Sequence, residues 1–281
     1  MVAHITDSSA VAAWRSRVES HHSQSQRVMD ASARTGDFWA DYASAFRADP
    51  RRADDEALDV LLGLADESST VLDVGGGAGR FALPLARKCA SVTVVDPSEG
   101  MLAQLRLAIA EEGVKNLSMV RSEWETADVE SRDLVLCSHV VYTVADIARF
   151  IRKLEHHANR LVALVSFVDA PQSHLSGLWE TVHGEPRIDL PGLPELANVL
   201  WDLEIYPDVV MVPTTRTRTF ESPEAALEEL TRRLFIGDNP VKEERLRAAL
   251  RNSLERTSDG FVVAGAKPVH QGIITWRTAA D

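Results

Sequence analysis

Residues 70 to 82 run from an apolar stretch, Thr70-Val71-Leu72-Asp73-Val74, into Gly75-Gly76-Gly77-Ala78-Gly79 and on into a segment with helical spacing. Four glycines in five positions free the backbone for positive φ and for close approach to a ligand, because glycine carries no Cβ. A helix following the loop would aim its unsatisfied N–H groups and the positive end of its dipole at the same ligand. The pattern predicts a strand, a ligand-cradling loop and a helix, with an anionic group, phosphate or carboxylate, as the natural occupant. A nucleotide-like cofactor is expected, although a glycine loop alone does not say which one.

The rest of the chain puts this unit in a parallel α/β architecture. Before it, Trp14, Val18 and Val28, then Phe38, Trp39, Tyr42 and Phe46, recur at helical spacing until Asp49-Pro50 breaks the pattern. A second helix is predicted over 54–64, with Leu58, Leu61, Leu62 and Ala65 on one face. After the loop, helices are predicted over 80–89, 98–112 and 144–156, and strands over 91–95, 117–121, 133–137 and 160–168. Gly113 closes the second of these helices at its C′ position. Strands with continuous apolar runs alternating with helices predict a parallel sheet covered on both faces. Beyond Asp169, Pro171, Gly177, Gly184, Pro186, Pro191-Gly192 and Pro194 predict an irregular segment. A one-face strand is expected over 208–220, with Arg216 and Arg218 on a solvated face. Ser222-Pro223 and Asn239-Pro240 open two further helices, and 261–263 and 272–276 read as strands. The chain is expected to form one domain: a helical N-terminal extension over 1–50, a cofactor-binding core over 51–170, and a substrate-side insertion with helices and closing strands over 171–281.

Composition narrows the partners. The 281 residues carry a formal net charge of −12, which disfavours a nucleic-acid backbone as ligand. No apolar run approaches the roughly 20 residues that cross a bilayer, and the first residues lack a basic and apolar leader pattern, so no membrane association and a cytoplasmic location are expected. Cys89 and Cys137 lie in apolar segments and read as buried structural thiols of a reducing compartment. His21-His22 and His156-His157 are adjacent pairs that point to different helix faces, so they predict surface histidines rather than metal ligands.

Two cofactors suit the loop. Gly77-Ala78-Gly79-Arg80-Phe81-Ala82 follows the G-x-G-x-x-A form of a dinucleotide site, with Asp96 at the end of the next strand for ribose hydroxyls. S-adenosylmethionine would use Asp96 in the same way. Asp73, two residues ahead of the glycines, favours the second cofactor: a carboxylate suits its cationic end and would repel a pyrophosphate, while the loop N–H groups suit its carboxylate. Glu123-Trp124, after the third strand, offers an acceptor for an adenine amino group and a ring to cover the base.

Residues 71–86, 93–102, 119–125 and 133–144 together resemble the successive motifs of class I S-adenosylmethionine-dependent methyltransferases. The resemblance covers about residues 36 to 170, and Gly272-Ile273-Ile274-Thr275-Trp276-Arg277 is similar to the last strand of a bacterial, small-molecule-type subgroup. It implies a Rossmann-like sheet of seven strands, mostly parallel with one antiparallel. It implies that Asp73, Gly75, Gly77 and Gly79 hold the methionine end of the cofactor, Asp96 the ribose, Pro97 and Met101 the adenine faces, and Glu123 and Trp124 the adenine edge. Cys137, Ser138 and His139 fall at the end of the fourth strand beside the sulfonium, and Trp39, Tyr42 and Arg47 fall where an N-terminal segment covers the cofactor. The chain departs from several subgroups. It has no Asn-Pro-Pro-Tyr or Asp-Pro-Pro-Tyr at strand four, no Pro-Cys pair of a cytosine C5 enzyme, and no acidic triplet or histidine cluster for a metal.

Several residues carry two readings. His139 is a general base for a hydroxyl or amine, or a polar part of the pocket floor; Tyr142 points at substrate or packs under the next helix. Trp39 and Tyr42 share a helix face and contact the cofactor, or simply pack on the sheet edge. His174, Trp179 and His183 touch substrate or belong to a surface loop. The expected activity is in-line methyl transfer to a small-molecule acceptor by a monomer or homodimer. The alternatives are a protein that binds S-adenosylmethionine without transferring its methyl group and, more remotely, an NAD-dependent oxidoreductase.

Overall fold

The structure, a computed structural model, describes residues 9–29, 37, 39–212, 219–265 and 269–278. Phe38, Arg216, Arg218 and the side chain of Tyr42 lie outside the described residues, and so do the expectations attached to them.

Five parallel strands form the spine: β1 (Thr70–Val74), β2 (Ser91–Val95), β3 (Leu117–Val120), β4 (Arg132–Ser138) and β5 (Ala158–Phe167). With β6 (Asp208–Val212) and β9 (Gln271–Arg277) they make a seven-stranded sheet in the order β3-β2-β1-β4-β5-β9-β6. Only β9 runs antiparallel, paired with β5 on one side and β6 on the other. The expected Rossmann-like class and the single reversed strand are both present.

One face of the sheet, with Leu72, Val135, Val162 and Ile274, is covered by α1 (Ser9–Val28), α5 (Ile147–His156) and α7 (Leu193–Asp202). The other, with Val71, Val94, Leu134 and Ala163, is covered by α2 (Glu56–Gly63), α3 (Ala82–Ala86) and α4 (Glu99–Glu112). The helix starts follow their caps: Asp55, Ser98, Ser222 and Asn239 each accept a hydrogen bond from the backbone N–H three residues on. Gly113 ends α4 at φ +65°.

Three expectations need correction. The helix expected over 80–89 contracts to the five residues of α3. The segment read as irregular after β5 holds α6 (Ser176–His183) and α7, because Gly184, Gly192 and Pro194 bound these helices rather than interrupt them. Of the strand expected over 208–220, residues 208–212 form the edge strand β6, residues 213–218 lie outside the described residues, and Phe220 instead bridges Phe261. The strand expected over 261–263 is present as β8 (Gly260–Val263), which forms a separate hairpin with β7 (Leu254–Thr257). This hairpin packs with α6, α8 (Pro223–Arg233) and α9 (Pro240–Ser253) around a third apolar cluster holding Trp179, Leu230 and Leu246. Among the described residues no helix is long and apolar enough to cross a membrane.

Candidate functional site

Strand order reverses between β1 and β4, so the chain leaves their carboxyl ends in opposite directions and opens a crevice there. The glycine loop sits at this crevice. Gly75, Gly77 and Gly79 have φ of +70°, +53° and +84°. A Cβ on Gly75 would overlap the Val140 side chain, and one on Gly76 would lie 2.6 Å from Asp73 Oδ2. The extra glycine at 76 therefore makes room for the Asp73 carboxylate.

Three N–H groups of the loop are committed to internal partners. Gly75 N–H donates to the Val95 carbonyl (2.7 Å), Gly77 N–H to Asp96 Oδ2 (2.9 Å) and Gly79 N–H to the Gly76 carbonyl (2.9 Å). The helix behind it is too short to present a strong dipole. Carboxylates give the crevice its charge.

Asp73 is buried, and its Oδ1 has no hydrogen-bond partner. Burial, reinforced by the nearby Asp96 charge, pushes its carboxyl up to about 7. Asp96, also buried, is raised by burial and by Asp37 and Glu123, against hydrogen bonds from Ser98 N–H to Oδ1 (2.9 Å) and from Gly77 N–H to Oδ2. Each Asp96 oxygen thus takes one backbone donor and keeps acceptor capacity for a second. A crevice where Asp37, Asp73, Asp96 and Glu123 act on one another suits a ligand with net positive charge, and a buried carboxylate oxygen without a donor suits an ammonium or a bridging water. S-adenosylmethionine, with its sulfonium and ammonium, fits this set; a dinucleotide pyrophosphate does not.

The other expected cofactor residues divide. Met101 is buried in the first turn of α4, against Ala78 of the loop and Ala43, and Pro97 is exposed beside it. Glu123 is exposed at the crevice. Trp124 is not available to cover a base: it is buried against Phe150 and His157, with Lys153 Nζ 4.7 Å from its ring centre. That ammonium also donates to the Trp124 and Ala127 carbonyls, both at 2.7 Å, and holds the turn toward α5. The Cys137 thiol, raised by burial, faces the core with Leu72 and Val135, while Ser138 ends β4. Arg47 is not brought to the loop either; it pairs with Glu111 in the last turn of α4. Trp39 is half-exposed and meets Phe46 edge to face at 5.8 Å.

His139, just past β4, adopts φ +58°, uncommon for a residue with a side chain. Its N–H donates to the Val165 carbonyl, its ring stacks on Phe167 with centroids 4.0 Å apart, and its Nδ1 lies 3.0 Å from the Tyr142 hydroxyl. That hydroxyl accepts the Phe167 N–H (2.7 Å), so its own proton can point at His139. Burial, with Arg80 adding to it, pushes His139 down to about 4 against a hydrogen bond its ring donates to Gln271; burial pushes Tyr142 up to about 12. Both are neutral at pH 7. Phe167, Gln271 and Asp37 were missed by sequence reasoning; β5 and β9 were legible as strands, but their meeting at His139 was not.

Trp179 and His183 do not line an open loop. Trp179 is buried in the third apolar cluster, and His183 Nε2 bonds the Leu234 carbonyl (2.7 Å). Arg187 stacks on Trp179 at 3.8 Å and bonds His21, Gln24 and Ser25, so His21 is part of an inter-element staple rather than a surface histidine. His174 is exposed on the turn before α6. No group of three or more His, Cys, Asp or Glu suited to a metal ion occurs among the described residues.

Comparison with known proteins bears on this geometry. Residues 71–160 match the family model of a methyltransferase domain. Over these residues the chain is similar to S-adenosylmethionine-dependent methyltransferase domains. An uncharacterised protein of Haemophilus influenzae is 32% identical over 51% of this chain and 53% of its own length. A ubiquinone biosynthesis O-methyltransferase of Azorhizobium caulinodans is 36% identical over 32% of this chain and 36% of its own. The chain thus spans about half or less of the length of these curated relatives. A methyltransferase of Thiobacillus denitrificans, solved with S-adenosyl-L-homocysteine, matches 86% of this chain and 98% of its own at 16% identity and TM-score 0.52, a likeness of fold. At two positions expected to meet the cofactor, this chain instead has the buried Trp124 and the Arg47–Glu111 pair.

Proposed function

We propose that this protein transfers a methyl group from S-adenosylmethionine to a small-molecule acceptor. The observation that carries the reading is the set of carboxylates at the β1/β4 crevice, above all the buried Asp73 with an unpartnered oxygen. When bound, the cofactor supplies a methyl group on a sulfonium, already activated for displacement. Asp73 would hold the cationic methionine end, Asp96 the ribose hydroxyls, Met101 and Pro97 the adenine faces, and Glu123 its amino edge. Residues 51–170 form the cofactor-binding core, while the N-terminal helix and the insertion after β5 build the acceptor side. The same carboxylates disfavour an NAD-dependent oxidoreductase.

At the acceptor end, His139, Tyr142 and Phe167 form a layered aromatic wall at the carboxyl ends of β4 and β5. A histidine with a pKa near 4 and partners in Tyr142 and Gln271 is a weak base at pH 7, so its role is to shape the wall and orient the acceptor. Rate then comes from alignment of the acceptor with the methyl group, an effect worth about 7–11 kcal/mol in well-oriented systems. An oxygen acceptor agrees with the O-methylation named for the Azorhizobium relative. The net charge of −12 supports a small molecule rather than a nucleic acid, and a cytoplasmic setting, as monomer or homodimer, completes the reading.

Titration calorimetry with S-adenosylhomocysteine and with NAD tests the cofactor: heat with the first and none with the second is expected, and the reverse refutes the reading. Incubation with methyl-labelled S-adenosylmethionine and fractionated metabolite extracts tests the transfer. Label in a low-mass product is expected; label only in protein or RNA overturns the acceptor class.

A further inference from the structure

The first turn of α4 is gripped from both sides. On its inner side, Ser98 N–H and Gly77 N–H hold the two oxygens of Asp96. On its outer side lies a segment distant in sequence. Asp37 Oδ2 accepts from the Ser98 hydroxyl (2.7 Å) and from the Gly100 N–H (2.9 Å), while Asp37 Oδ1 accepts from Trp39 N–H (3.1 Å). The Ser98 oxygen in turn accepts from Met101 N–H (3.1 Å). The 3-10 turn at Ala40–Phe46 then lies directly on the helix: a Cβ on Gly100 would sit 2.5 Å from Ala40 Cα, and Ala43 is buried with Ala78 and Met101.

The consequence is a question of where one proton points. The Ser98 hydroxyl has a single proton, and Ser98 is buried beside Asp96. Bound to Asp37, that proton is kept from competing for Asp96. Both Asp96 oxygens are then left with one backbone donor and one open acceptor position each, the pattern that receives two adjacent hydroxyls. The same contacts seat Ala43 on Met101 and Ala78, so the turn backs the floor of the crevice.

We propose that Asp37 is a positioning residue for cofactor binding, acting through Ser98 on Asp96 and through Gly100 on the docked turn. The proposal rests on the reading that Asp96 takes the ribose hydroxyls. Removal of Asp37 weakens binding because Ser98 becomes a competing donor to Asp96 and the turn loses its anchor.

The test is a ligand–protein cycle in the full-length protein. Affinities for S-adenosylhomocysteine and for its 2′-deoxy analogue are measured by calorimetry in wild type, Asp37→Ala, Gly100→Ala and Asp96→Ala, with apoprotein melting recorded for each. In wild type the missing hydroxyl should cost about tenfold in affinity, of the order of one hydrogen bond to a charged group. In Asp37→Ala the affinity for S-adenosylhomocysteine should fall about 10- to 100-fold, and the ratio between the two ligands should collapse toward one. Gly100→Ala, which displaces the turn without removing a carboxylate, should weaken both ligands while keeping most of the ratio. A wild-type ratio preserved in Asp37→Ala overturns the proposal, since a merely structural role would weaken both ligands equally. Wild-type protein that does not bind S-adenosylhomocysteine, or an Asp96→Ala variant that binds it undiminished, overturns the underlying site reading instead.

Discussion

Replacing Asp73 by asparagine should stabilise the ligand-free protein at alkaline pH while weakening its hold on the cofactor. Asp73 is buried, one of its oxygens lacks a partner, and its carboxyl is raised from the ordinary 3.8 to about 7. A carboxyl with a folded pKa above its unfolded value binds its proton more tightly when folded. Stability on its account is therefore greatest below about pH 4, falls as pH rises, and levels off above about pH 7. About three pKa units correspond to about 4 kcal/mol, of which about 2.5 kcal/mol develops between pH 5 and pH 8. Asparagine has the same shape and does not titrate. Its own hydrogen-bonding cost is constant with pH, and titrating groups not coupled to Asp73 cancel in the comparison. Urea unfolding of the two apoproteins at pH 5, 6, 7 and 8 should show the variant gaining on wild type by about 2–3 kcal/mol across that range. A stability difference that stays flat with pH refutes the argument that Asp73 is a desolvated, uncompensated carboxyl. A second arm follows from the same group: wild-type affinity for S-adenosylhomocysteine should rise with pH up to about 7 as Asp73 ionises to meet the ammonium, and Asp73→Asn should bind at least about tenfold more weakly without that rise.

Gly75→Ala should destabilise the protein by about 1–3 kcal/mol in chemical denaturation, because φ is +70° and the new methyl meets Val140. Asp96→Ala should abolish cofactor binding by calorimetry while leaving the circular dichroism of the fold in place. His139→Phe keeps the stack on Phe167, so turnover should drop no more than about tenfold; a loss of 10²–10⁴ would instead assign His139 as the base. Arg187→Ala removes a cation–π contact and three hydrogen bonds tying α1 to the insertion, and should cost about 2–4 kcal/mol in urea unfolding, with cofactor affinity little changed.

Much of the sheet was legible because its signals are local. Strands β1 and β2 stand at the residues their apolar runs predicted, and α4 begins at its serine cap and ends at Gly113. Misreadings arose where the same residue type serves opposite ends. Prolines and glycines after β5 read as loop, yet they cap and start α6 and α7, which draw their stability from burying Trp179, Leu196 and Val199 against distant partners. In the site, Asp73 and Asp96 were readable from their place beside the glycines. Trp124 was not: an aromatic beside an acid looks the same whether it covers a base or fills a core, and only the approach of Lys153, Phe150 and His157 decides.

By itself, the sequence determined the strand–loop–helix order, the glycines that positive φ demands and the acids flanking them, all set by spacing along a few residues. Tertiary structure decided how those groups are used. It committed the loop N–H groups at 75, 77 and 79 to internal partners, turned Trp124 inward, stacked His139 on Phe167, and brought Asp37 to Ser98. These outcomes depend on which donors and apolar surfaces meet across the sheet and between segments tens of residues apart, and a hydrogen bond or a buried ring goes to whichever partner the packing brings within reach.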